Sequence, residues 1–177
     1  MRVAFLLLIS ALPCGAFETL NCAWDNSQPI KFSVSRCHQT KMIRDTVQAA
    51  LNKWCVACSG GFQFEGAPGG ITVTFDRFYY GAAYTTRVIQ DGKITAATIV
   101  LNSRYRWCRK PIGIVLRFSR RSEADLDAVL THEIGHALGM EHSDIENTTM
   151  WPLIYPSTAT LAQDDVNGIC SLYHSSP

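Results

Sequence analysis

Polar and apolar positions alternate through "QPIKFSVSR", putting Ile30, Phe32 and Val34 on one face as a half-buried strand requires. The period then lengthens. In "TKMIRDTVQAALNKW", residues Met42, Ile43, Val47, Ala50, Leu51 and Trp54 recur at spacings of three and four, which predicts an amphipathic helix. Gly60 and Gly61 interrupt it, and "FQFEG" and "GGITVTFDRF" follow as two short strands separated by the glycines from Gly66 to Gly70. "AAYTTRVIQDGKITAATIVLN" carries β-branched runs on both sides of Asp91-Gly92, a favoured pair for a tight hairpin turn.

The clearest helix is "RRSEADLDAVLTHEIGHALGME". Ser122 can cap its start with Asp125 as a capping-box variant, and Glu123 and Asp125 favour the positive end of its dipole. Leu126, Val129, Leu130, Ile134 and Ala137 form its apolar stripe, and Gly139 supplies a stop. "TLAQDDVNGICSLY" predicts a final helix with Thr160 as its cap. Strands followed by helices, without strict alternation, predict an α+β fold. No repeat, low-complexity run or linker divides residues 17–177, so they are expected to form one domain.

The chain has 177 residues, 16 of them basic and 15 acidic, which suits one globular domain with a real core. So even a balance gives no reason to expect a nucleic acid or an anionic membrane as partner. The first sixteen residues, "MRVAFLLLISALPCGA", have the charge, apolar run and small-residue end of a secretory signal peptide cut before Phe17. That run is too short to span a bilayer, so no stable membrane anchor is expected. A lipid anchor on Cys14 is opposed by Pro13; the "PCG" triplet is also similar to the zinc-blocking cysteine of some protease propeptides. Cleavage would leave Cys22, Cys37, Cys55, Cys58, Cys108 and Cys170, an even set that predicts structural disulfides in a secreted chain, extracellular or periplasmic. Sequence does not choose among the pairings. The Cys55-x-x-Cys58 pair closes a helical pattern, where a redox centre would open one, and no second pair completes a zinc-thiolate site.

Three of the five histidines fall within "HEIGHALGMEH". His132 and His136 are four apart on a helix, so both rings point one way and can meet one zinc ion at about 2.0–2.1 Å. His142, six residues on, would lie roughly 9 Å further along a continuing helix and on another face. Gly139 removes the conflict, because glycine turns the chain sharply at little cost. Three imidazoles leave a fourth zinc position open for water, as a catalytic site needs. Glu133 can take a proton from that zinc-bound water and pass it to a leaving amine, while zinc polarises the scissile carbonyl. His38 and His174 read as surface or core residues outside this set.

The string from His132 to His142 resembles the metzincin signature, and within the metzincins the chain is closest to the matrixins, the matrix-metalloproteinase-like group. Met150 in "NTTMWP" resembles their Met-turn, Ser143 follows the third histidine as in matrixins, and "LAQDDVNGICSLY" resembles their final helix. The looser "LNSRYRW" resembles a matrixin strand end. The resemblance implies a zincin-like domain: a twisted, mostly parallel sheet with an antiparallel edge strand, packed on long helices. It also implies an active-site helix leading into a small irregular C-terminal subdomain. It further implies a secreted endopeptidase with one catalytic Zn²⁺, acting on proteins or peptides and monomeric by default. Peptide would lie along the strand from Gly81 to Val88, notably Ala82, Ala83 and Tyr84, with Pro152 and Tyr155 lining the pocket for the residue after the cut.

Departures accompany the resemblance. The segment between Pro152 and Tyr155 is one residue longer than usual, and the extra histidines of a structural zinc are missing between His38 and His132. Calcium is possible, but no acidic calcium loop is evident. No propeptide of ordinary length separates the expected signal from the domain. In matrixins an aromatic N-terminus can reach the first aspartate of the final helix, which would bring Phe17 to Asp164. An exported binding or inhibitor module on the same scaffold is the alternative, and a disulfide-rich structural protein with an accidental motif is a third reading. Acid is expected to release metal and activity as the ligand histidines protonate.

Overall fold

The computed structural model describes residues 17–37, 39–109, 123–154 and 156–173. The expected signal peptide, Ser122, Tyr155, His38 and His174 lie outside them. In chain order the strands and first helix are β1 (Phe17–Thr19), β2 (Ala23–Trp24), β3 (Ile30–Val34), α1 (Thr40–Ala57), β4 (Phe64–Gly66), β5 (Ile71–Asp76), β6 (Ala83–Gln90) and β7 (Lys93–Asn102). They continue as β8 (Arg106–Cys108), β9 (Glu123–Asp125), α2 (Leu126–Ala137), β10 (Met140–Ser143), a 3-10 turn (Pro156–Ala159) and α3 (Gln163–Tyr173).

Six strands form the main sheet. β4, β3, β5 and β7 run parallel in that order, β2 joins the start of β7 in parallel, and β6 pairs antiparallel along β7. The expected hairpin is β6–β7, and its turn residues Asp91 (φ 50°) and Gly92 (φ 73°) both adopt the left-handed conformation that tight hairpins demand. This is the mostly parallel sheet with an antiparallel edge that the resemblance implied. Two small pairings stand apart: β1 with β10, antiparallel, and β8 with β9, parallel.

α1 and α2 pack together beside the sheet. Ile43, Leu51 and Trp54 of α1, Ile71, Ile99 and Leu101 of the sheet, and Leu126, Leu130 and Ile134 of α2 are fully buried in one core. Burial of this kind contributes roughly 1.5–3 kcal/mol per large side chain. Several polar tips that reach it find backbone acceptors, although the Trp107 indole N–H is buried without a partner among the described residues. The Trp54 indole donates to the Thr131 carbonyl at 2.9 Å, the Trp24 indole to Ala137 O at 2.8 Å, and the Tyr173 hydroxyl to Leu138 O at 2.8 Å. The last two hold the end of α2, where the chain turns toward the third histidine.

Three expectations change. The central helix begins at Leu126, not near Ser122, because Glu123–Asp125 are drawn into an extended pairing with Arg106–Cys108. Asp125 is itself the cap: its carboxylate accepts the backbone N–H of Asp127 at 3.0 Å and of Ala128 at 3.4 Å. The last helix starts at Gln163, three residues beyond Thr160. And the six cysteines from Cys22 to Cys170 are free thiols, so the structure holds none of the expected disulfides. Cys55, Cys108 and Cys170 instead donate to the carbonyls of Phe62, Ala124 and Ala57.

Candidate metal centre

α2 carries His132, Glu133 and His136 into an open cleft of about 560 Å³ between β6 and the chain after Met150. The helix is buried almost all round, so these polar residues sit in a dry setting: His132 is 3 % and Glu133 4 % exposed. α2 ends at Ala137, and Gly139 (φ +105°) turns the chain into β10, which brings the His142 ring to 4.8 Å from that of His136, centroid to centroid. A side chain at Gly139 would meet the Cys22 carbonyl oxygen at 2.5 Å, so shape as well as backbone angle demands glycine here.

Two of the three rings are oriented by backbone carbonyls. His132 Nδ1 donates to Thr149 O at 2.7 Å and His136 Nδ1 to Met140 O at 2.9 Å. A carbonyl only accepts, so each ring holds its proton on Nδ1 and turns an Nε2 lone pair inward. His136 Nε2 and His142 Nε2 stand 3.3 Å apart, and the candidate ligand atoms of all three histidines lie within 4.8 Å of one another. Tetrahedral zinc–nitrogen bonds of 2.0–2.1 Å require ligand spacings of about 3.3–3.4 Å. The donor set therefore fits zinc in number and chemistry, and the His136–His142 separation already matches that spacing.

Burial and the neighbouring rings push His132 down to about 3, and burial does most to push His136 down to about 4, so both are neutral in the metal-free protein. Burial acts oppositely on Glu133, raising it to about 7 against the lowering effects of Thr85 and Arg87. The Thr85 hydroxyl donates to Glu133 Oε2 at 2.6 Å. Arg87 spans the end of α2, donating to His136 O at 2.9 Å and Met140 O at 3.2 Å while pairing with Glu141 at 2.6 Å.

Ala82, Ala83, Tyr84 and Pro152 line the same cleft as the histidines; Tyr155 is outside the described residues. Met150 is fully buried against α2: a Cβ at Gly135 would lie 2.4 Å from its sulfur. Thr85, Arg87, Leu153 and Ile154, which fall inside the segments expected to border the cleft but had no individual role, also line it, as does Glu141, which sequence reasoning missed. For Thr85 and Arg87 the only signal was strand alternation, which puts them on one side of β6 without saying what that side touches. A second cavity of about 410 Å³ beside Trp107 contains none of the histidines.

The matrixin family model matches residues 23–174. A metalloendoproteinase of Arabidopsis thaliana, 1-MMP, is 44 % identical over 64 residues, 35 % of this chain and 18 % of that protein. The hatching enzyme of Paracentrotus lividus is 26 % identical over 179 residues, 95 % of this chain and 30 % of that protein. The 72 kDa type IV collagenase of Gallus gallus is 33 % identical over 122 residues, 66 % of this chain but 16 % of its own length. The chain thus spans less than a third of each of these relatives. With a match over nearly all the described residues, and three histidines whose ligand atoms gather within 4.8 Å, the chain belongs to the matrixins, a family of zinc-dependent metalloendopeptidases.

Proposed function

We propose that this chain is a secreted endopeptidase in which His132, His136 and His142 hold one zinc ion and Glu133 is the general base. The observation that carries the reading is the convergence of three imidazoles beside a buried carboxylate in a cleft large enough for a peptide. Zinc bound there supplies Lewis acidity toward a carbonyl and makes water more acidic. Glu133 takes the proton of the attacking water and delivers it to the departing amine. Met150, packed beneath α2, supports the rings from below without ligating.

An extended peptide would add to β6, whose pairing in the sheet is with β7 alone among the described residues. Ala82, Ala83 and Tyr84 would offer main-chain hydrogen bonds, and Pro152 and Tyr155 would border the pocket for the residue after the cut. Export rests on the signal-like first sixteen residues, with cleavage before Phe17; among the described residues no helix is long and apolar enough to cross a membrane. Such cleavage would free an ammonium on Phe17, whose strand partner Ser143 donates to the Asp164 carboxylate at 2.7 Å. Full activity in Asp164→Ala would remove that contact from the reading.

The test is a digest of an unfolded protein alongside metal analysis. One zinc per chain, cleavage abolished by chelator, and activity near background in Glu133→Ala with zinc retained are the expected results. Stoichiometric zinc with no turnover of a broad peptide library would favour a binding module instead. Equal activity in Glu133→Ala would end the proposed mechanism.

A further inference from the structure

We propose that Thr85 is a positioning residue for hydrolysis, its hydroxyl holding the Glu133 carboxylate in the orientation from which it serves the cleft. The inference rests on the endopeptidase reading above. Along β6, Ala83, Thr85 and Arg87 are half-buried while Tyr84, Thr86 and Val88 are exposed, so the odd-numbered residues face α2. Thr85 Oγ1 lies 2.6 Å from Glu133 Oε2 and 3.2 Å from the Glu133 carbonyl. A hydroxyl has one proton, and the shorter, charge-assisted contact to the carboxylate claims it. Among the described residues no other hydrogen bond to that carboxylate is made.

Glu133 has three rotatable side-chain bonds and sits beside an open cleft, so burial alone does not select one rotamer. Two residues along the same face, Arg87 is tied to His136 O, Met140 O and Glu141. Those bonds hold β6 against the end of α2 and so fix where the Thr85 hydroxyl is delivered. The strand that would receive peptide thereby also aims the base. A displacement of about 1 Å at such a group can lower a rate on the order of 100-fold.

Thr85→Val keeps shape and strand preference while removing the hydroxyl; Thr85→Ser restores it. With zinc-loaded protein and a quenched fluorescent peptide, Thr85→Val is expected to lower kcat about 10- to 100-fold. KM should stay within about twofold and so should zinc affinity by chelator competition, since neither peptide backbone nor ligands are touched. Thr85→Ser should recover most of the rate. Crystal structures of metal-free wild type and Thr85→Val supply a readout independent of turnover: one Glu133 rotamer in the first, several in the second. A kcat within twofold of wild type, or the same single Glu133 rotamer without the hydroxyl, overturns the proposal. Should Thr85→Val not fold, the Thr85→Ser and Thr85→Ala pair decides in the same way. Wild type that binds zinc yet cuts nothing defeats the endopeptidase reading, while the rotamer comparison still judges Thr85.

Discussion

The backbone of Thr149 joins Asp165 to His132. Its N–H donates to Asp165 Oδ2 at 2.9 Å, and its carbonyl accepts from His132 Nδ1 at 2.7 Å. The same carboxylate accepts from Met150 N at 3.0 Å and Ala162 N at 2.7 Å, so one fully buried acid ties the start of α3 to the loop beneath the histidines. Its burial raises its pKa, and these N–H donors work in the opposite direction.

Asp165→Ala would strand those donors in a dry interior. A loss of about 3–5 kcal/mol is expected, read from urea unfolding. Because Thr149 also orients His132, zinc affinity should weaken on the order of 10-fold in chelator competition. An unchanged unfolding midpoint would show that water takes over the acid's role.

Gly139→Ala tests the bend that returns His142 to the other rings. The substitution meets both a φ of +105° and a backbone oxygen 2.5 Å from the new methyl. Relief requires the turn to open, so a destabilisation of roughly 2 kcal/mol or more is expected, together with a larger loss of zinc affinity. Calorimetric zinc titration matching wild type would mean that the third histidine does not depend on this turn.

Gly135→Ala probes the floor of the site. Its methyl would lie 2.4 Å from the Met150 sulfur and 2.8 Å from the Trp54 ring. Methionine can swing aside, whereas a fully buried indole hydrogen-bonded to Thr131 O has little room. Overpacking should cost about 1–3 kcal/mol, visible as a lowered thermal midpoint and a shifted Trp54 fluorescence.

Acid should destabilise the metal-free protein. Its unfolded chain protonates His132 and His136 near the ordinary value of 6.5, but the folded chain resists until about 3 and 4. Their contribution is therefore complete above pH 6.5 and drains away as pH falls toward 4. Glu133, raised from 4.5 to about 7, runs the other way: its contribution is present below 4.5 and lost as pH rises through 7. Two histidines outweigh one glutamate, so the urea midpoint is expected to fall between pH 6.5 and 4. A flat profile would contradict neutral, buried rings.

Much of the fold was legible from periodicity. The spacing of Ile43, Val47, Ala50 and Leu51 identified α1, alternation at Ile30 and Phe32 identified β3, and Asp91-Gly92 marked the hairpin. Boundaries governed by competing contacts were not legible. Ser122 and Asp125 are both good caps, and the pairing of β8 with β9 decides for Asp125. Cysteine number suggested cross-links, yet the six are free thiols in the structure even though Cys58 and Cys170 lie within hydrogen-bonding reach of each other, a proximity that cysteine count alone does not reveal.

By itself, the sequence determined that His132 and His136 share a helix face, that Glu133 lies beside them, and that the chain can turn at Gly139. These are local matters of covalent spacing and backbone freedom, identical wherever such a string folds as helix then turn. The tertiary structure alone decided that Thr149 and Met140 would orient the His132 and His136 rings, that Thr85 would meet Glu133, and that those two rings would be neutral. Those depend on which strand register faces which helix and on how much water packing excludes, and neither quantity is carried by residues near one another in the chain.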